Sequence, residues 1–193
     1  MAQEKITKIP EEENNSNDYI FELAHPITIH GEEVSEFKFR RPKIVDIQIA
    51  NKRGKGDFEQ MCLSLAANLG QIAIEDIQEL DLVDFRNLLK FLPQTIIKDE
   101  ETESAQTDAK EITVTLKHPI KLGDEEVTEI TIRRPKYKDM IYARSGNLDE
   151  LEQSFRMLHK IGGVDINVIR QLDAATDFAQ IRRHIDGFLE VVQ

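Results

Sequence analysis

Few side chains in this sequence combine the types and spacing that chemistry needs. His25 and His118 each lie near a pair of glutamates, Glu32-Glu33 and Glu125-Glu126, which raises metal binding or paired-acid catalysis as candidates. A closed coordination shell needs several ligands at spacings such as HxH, HExxH or CxxC, and none of these is present. Adjacent glutamates at a hairpin tip point to different faces and to water, so they do not converge on one substrate atom. The histidines therefore read as structural and the acidic pairs as solvated turn charges.

Two further stretches are weaker still. "NKRGKGD" at 51–57 has the glycines and lysines of a phosphate cradle but not the order GxxxxGK[ST]. Cys62 falls on an apolar helical face, where a buried, inert thiol is expected. No catalytic, cofactor-binding or metal-binding residue is assigned, and no cofactor is expected.

The arginines are different. Arg40-Arg41 and Arg133-Arg134 each stand immediately before a proline that could open a helix. Neighbouring residues of a strand point to opposite faces, so one arginine of each pair turns inward and the other faces a partner. The inward partner is Glu36 or Asp46 in the first case and Glu129 or Asp139 in the second. Arg40, Arg41, Arg133 and Arg134 are the candidate partner-binding residues.

These arginines recur because the chain is written twice. "LAHPITIHGEEVSEFKFRRPK" from Leu23 returns from Leu116 as "LKHPIKLGDEEVTEITIRRPK". The register holds through Asp46/Asp139, Leu65/Leu158 and Gly70/Gly163 and reappears at Asp84/Asp177 and Phe85/Phe178. In between, a one-residue slip pairs Leu80-Asp81 with Leu172-Asp173. A tandem duplication of a small folding unit follows. Whatever one copy lacks, such as the 51–57 stretch, is poor evidence for shared chemistry.

The elements that must position these residues follow from periodicity. Apolar residues alternate in "YIFELAHPITI" and "EITVTLKHPIKL", and again in "VSEFKFR" and "VTEITIR", so each copy opens with a β-hairpin. Pro26 and Pro119 interrupt the first strand and demand an edge or a bulge. Pro42 and Pro135 are placed at the start of a short helix. "DFEQMCLSLAANLG" puts Phe58, Met61, Cys62, Leu65, Ala66 and Leu69 on one face, with Asp57 and Gly70 as its caps. Its counterpart carries Leu151, Phe155, Leu158 and Ile161 between Asn147 and Gly162. Short helices over 75–80 and 167–172 come next. Final helices over 82–92 and 176–191 present the stripes Phe85, Leu88, Leu89, Leu92 and Phe178, Ile181, Ile185, Leu189.

The expected fold class is α+β, two tandem copies of a hairpin followed by three to four helices. The expected organisation is a disordered arm over 1–18, a first domain over 19–97, an acidic flexible linker over 98–111 and a second domain over 112–193. The arm and linker are too polar and too acidic to offset the entropy of ordering them. Net charge is −11, of which −4 falls in residues 93–111 alone, and neither copy shows the basic balance of a duplex-binding domain. No run reaches the ~18 apolar residues of a membrane span. The N-terminus lacks an apolar secretory core, and with a single cysteine this makes the cytoplasm the expected location.

The order hairpin, HP on the first strand, R-x-P junction and amphipathic helices, quoted as "TVTLKHPI…GDEEVTEITIRRPKYKDM", resembles the tail assembly chaperones of contractile-tailed and Mu-like phages. The resemblance covers both copies and is strongest over 19–46 and 112–139. It departs from the family in being tandem and in reading Arg-Arg-Pro where many relatives read Arg-Glu-Pro. The resemblance implies a non-enzymatic assembly factor that binds the tape-measure protein, keeps its helical chain soluble and helps recruit tail-tube subunits. Two other readings stay open: a helix-turn-helix DNA-binding regulator built on "IEDIQELDLVDFRNLLKF", and an adaptor subunit retained in the tail. Nucleic acid and membrane partners are not expected, and a homo-oligomer is left open.

Overall fold

The computed structural model describes residues 19–96, 109–123 and 125–189. The expected arm over 1–18 and the expected linker up to Asp108 lie outside these residues. Two repeated units follow one plan. The first runs β1 (Tyr19–Ile29), β2 (Glu32–Phe39), α1 (Ile44–Gly54), α2 (Phe58–Gly70), α3 (Ile74–Gln78) and α4 (Leu82–Ile96). The second runs β3 (Glu111–Leu122), β4 (Glu125–Arg133), α5 (Tyr137–Arg144), α6 (Glu150–Gly162), α7 (Ile166–Gln171) and α8 (Asp177–Leu189). Each unit holds one antiparallel two-stranded sheet, β1-β2 or β3-β4, with helices packed on its apolar face.

In the first hairpin His30 (φ 53°) and Gly31 (φ 87°) form the turn. Two successive positive φ values suit the right-handed twist of the flanking strands, and Gly31 adopts this without steric cost. The pairing breaks between Glu22↔Glu36 and Ile27↔Val34, and in the second hairpin between Thr115↔Glu129 and Ile120↔Val127. Pro26 and Pro119 sit in these irregularities, where a missing N–H costs no ladder bond.

An isolated two-stranded hairpin is marginal in water, so each must bury its alternate residues against helices. The first core is aromatic: Phe21, Phe37 and Phe39 meet Leu65, Leu69, Ile77, Leu88 and Leu92, with Phe91 5.2 Å from Phe21. The second is mostly aliphatic, with Val114, Ile130 and Ile132 at the matching strand positions against Phe155, Leu158, Ile169 and Ile181.

Several expected boundaries move. Pro42 and Pro135 precede the helices rather than opening them; Lys43 and Lys136 are the extended cap residues. Helix α6 is capped by Asp149, not Asn147, and closed by Gly163, not Gly162. Helix α2 starts from Asp57 as expected but runs through Gly70 to a left-handed Gln71. A Cβ on Gly70 would lie 2.9 Å from the Phe39 ring, so glycine serves close packing there and not the cap. These caps place the one-residue slip between the copies before α2, earlier than the Leu65/Leu158 pairing implied. Leu189 is exposed, and Phe188 fills the core position expected of it.

Candidate protein-binding surface

The histidines are held by their backbone. Asp84, at the start of α4, is buried and accepts from Ala24 N (2.9 Å) and His25 N (2.9 Å). Asp177, at the start of α8, accepts from Lys117 N (2.7 Å) and His118 N (3.1 Å). Each aspartate satisfies donors that the strand irregularity takes out of the ladder. Burial pushes the Asp84 carboxyl up, but the two backbone N–H groups and the His25 side chain outweigh it and leave it below its ordinary value. In the second unit burial wins, aided by the charge of Asp173, and Asp177 is raised. The sequence reading did not assign these aspartates a role; the signal was their retention at Asp-Phe in both copies.

Of the junction arginines, Arg40 and Arg133 pair with a carboxylate of their own unit. Arg40 grips Asp46 with two nitrogens at 2.7 and 2.9 Å, and Arg133 grips Asp139 at 2.7 and 3.0 Å. The same carboxylates take Lys43 N and Lys136 N at 2.8 Å, so one aspartate locks the strand exit to the helix start. The Arg133 guanidinium holds Asp139 down to about 2 against its burial. Burial opposes the same shift at Asp46, where Arg40, Lys43 and Asn68 together still leave it lowered.

The other two arginines part company. Arg41 reaches into the second unit and binds Asp173 through Nε at 2.8 Å and an Nη at 3.3 Å. Around that pair Ile44 N donates to Leu172 O (3.0 Å), Ala174 N donates to Pro42 O (2.9 Å) and Lys43 Nζ donates to Gln171 (2.9 Å). Ile44 is buried in the second unit's core, and Gln48 donates to Glu152 at 2.6 Å. Arg134, at the matching place in the second unit, is exposed and lies over the Phe188 ring, 5.7 Å from its centroid.

A groove of about 430 Å³ opens between α5, α6 and α8. Tyr137, Met140, Met157, Phe178, Ile185 and Leu189 supply its apolar lining, and Lys136, Arg144, Arg182, Glu150 and Asp186 its charged rim. Methionines adapt to irregular apolar partners, and a groove between helices with a mixed rim can take the apolar stripe of another helix. Among the described residues no three His, Cys, Asp or Glu side chains gather as metal ligands, and no helix is long and apolar enough to cross a membrane. The Cys62 thiol is buried and pushed up to about 11 by desolvation, a poor nucleophile.

The described residues form a duplicated hairpin-and-helix unit with an apolar, charge-rimmed groove in its second copy. A family model described as "Phage tail assembly chaperone proteins, E, or 41 or 14" matches residues 20–94 and again residues 113–190. The chain belongs to this family, in a tandem-duplicated form, and its role lies in phage tail assembly. No curated protein and no solved structure matches it.

Proposed function

We propose that this protein is a non-catalytic chaperone that binds the tape-measure protein in the host cytoplasm and assists assembly of the tail tube around it. The observation that carries this reading is the methionine-containing groove between α5, α6 and α8 in a member of a tail assembly chaperone family. A tape-measure chain presents long apolar helical stripes, which aggregate when uncovered. A helix laid in the groove buries such a stripe, while the rim meets its flanking charges of either sign. Two domains, 19–97 and 112–193, joined in one chain through the acidic stretch 98–111, would raise the local concentration of a second contact once the first has formed. Of the four junction arginines, Arg40, Arg41 and Arg133 bind carboxylates within the chain, and Arg134, which lies over the Phe188 ring, is the exposed one and the foremost partner-facing candidate.

Co-expression tests the reading. The tape-measure protein should become soluble and copurify with the wild-type chain. With Met140→Glu and Met157→Glu combined, it should return to the insoluble fraction. Equal solubility of the tape-measure protein with and without the chain would refute the reading.

A further inference from the structure

The two units join their first two helices with different chemistry, and the difference is one that folding does not require. Residues 51–58, "NKRGKGDF", hold three cations and one acid, whereas 144–150, "RSGNLDE", hold one cation and two acids. Both stretches cap the following helix with an aspartate: Asp57 accepts from Gln60 N at 3.0 Å and Asp149 from Glu152 N at 2.8 Å. A cation in the last turn of a helix complements its dipole, and Arg144 alone serves α5 in this way. The first unit has Lys52 and Arg53 in the last turn of α1 and adds Lys55 just beyond it.

These cations have no partner inside the chain. Lys52, Arg53 and Lys55 are exposed, and among the described residues no carboxylate pairs with them. Two apolar side chains accompany them. Phe58 is 52% exposed at the place where the second unit has Glu150, and Ile49, which shares a face of α1 with Lys52 and Arg53, is 36% exposed. The backbone that carries them is closely packed. Gly54 is buried, and a Cβ on it would lie 2.9 Å from Met61 N, so α1 and α2 abut with no room for a side chain between them. Lys55 (φ 50°) and Gly56 (φ 89°) then turn the chain through two left-handed residues.

We propose that residues 49–58 are a docking surface for an acidic polypeptide segment of another protein, in which carboxylates flank an aromatic or aliphatic side chain. The carboxylates pair with Lys52, Arg53 and Lys55, and the apolar residue packs on Phe58. Charge selects this occupant over a nucleic acid. A strand of nucleic acid takes a long cationic track, and a chain of net charge −11 repels a polyanion elsewhere on its surface, whereas three cations beside one phenylalanine match a short acidic segment. The surface belongs to the first unit alone, so duplication gives the chain a second kind of contact, separate from the groove of the second unit.

Fluorescence anisotropy of the full-length protein tests this with a labelled synthetic peptide of glutamates around a central phenylalanine, and with an oligothymidylate as the nucleic-acid probe. The peptide should bind at low ionic strength, more tightly than the oligothymidylate, and weaken as salt rises. Lys52→Glu combined with Arg53→Glu should weaken it by about ten-fold or more. Phe58→Ser should weaken it by about five-fold and leave a peptide with serine at its centre unaffected. Lys121→Glu, an exposed charge reversal on the second hairpin, should change nothing. All four positions are exposed, and an unchanged far-ultraviolet circular dichroism spectrum verifies the fold. No binding of the peptide, equal binding by the Lys52-Arg53 variant, an equal loss in Lys121→Glu, or tighter binding of the oligothymidylate would each overturn the proposal. The tape-measure protein takes no part in the assay, so failure here leaves the reading of the groove standing.

Discussion

The two junctions begin from the same four residues, Arg-Arg-Pro-Lys, and end in different surroundings. The first is stitched to the other unit by Arg41, Pro42, Lys43 and Ile44. The second exposes Tyr137 and lays Arg134 across Phe188. The inward halves stay alike, since Arg40–Asp46 and Arg133–Asp139 share geometry to within about 0.1 Å. Duplication thus keeps what a unit needs to fold and frees what faces outward to diverge. One side-chain change, Ile44 against Tyr137, separates a residue that completes a neighbouring core from one left in water.

The largest effect should come from cutting the seam. Asp173→Ala leaves Arg41 half-buried without its carboxylate and strips Thr176 of its acceptor, so unfolding free energy should fall by about 3 kcal/mol in urea titrations. Asp81→Ala, its counterpart, removes only an exposed turn acceptor and should cost about 1 kcal/mol. Equal losses would mean that the seam is not formed in solution.

The two bulge aspartates sharpen the comparison. An asparagine can accept only one of the two backbone N–H bonds well, so Asp84→Asn should cost about 2 kcal/mol by thermal melting. Asp177→Asn should cost less, because the ionised form is already disfavoured there.

Acid should act in the same sense on most of the buried aspartates. The folded-state values of Asp46, Asp84, Asp139 and Asp173 are lowered, so their contribution is present above the unfolded value of about 3.9 and is lost as pH falls through the folded values. Asp177 runs the other way: its contribution is present below the unfolded value and lost as pH rises through its folded value. Melting temperature should therefore drop steeply below about pH 4, and Asp177→Asn should flatten the opposing slope just above it. The smallest effect is expected at Ser64, whose buried hydroxyl has no hydrogen-bond partner among the described residues. Ser64→Ala should be neutral or stabilise by up to about 1 kcal/mol in the same melts.

How far the sequence reached follows from these particulars. Alternation in "EITVTLKHPIKL" and the helical stripes through Leu65, Leu88, Phe155 and Ile181 were legible because each reports a local period. The inward pairing was legible only as a choice between Glu36 and Asp46, and between Glu129 and Asp139, because all four lie within six residues of their arginine; the structure takes the aspartates. The acceptors for Ala24 N and His25 N were not, since Asp84 bonds backbone 59 and 60 residues distant and no side-chain pattern marks that. Nor was the Arg41–Asp173 seam, 132 residues apart, because two similar copies suggest equivalent surroundings for both. The slip before α2 was hidden by chance identities such as Glu59/Glu152, and only the capping geometry of Asp57 and Asp149 shows it.

The groove between α5, α6 and α8 is proposed to hold a helical stripe of a tail protein. Hydrogen exchange of the complex with the tape-measure protein against the free chain measures this directly. Slowed exchange concentrated in 137–144, 150–162 and 177–189 is the expected result; a complex whose exchange in these three helices equals that of the free chain would contradict it.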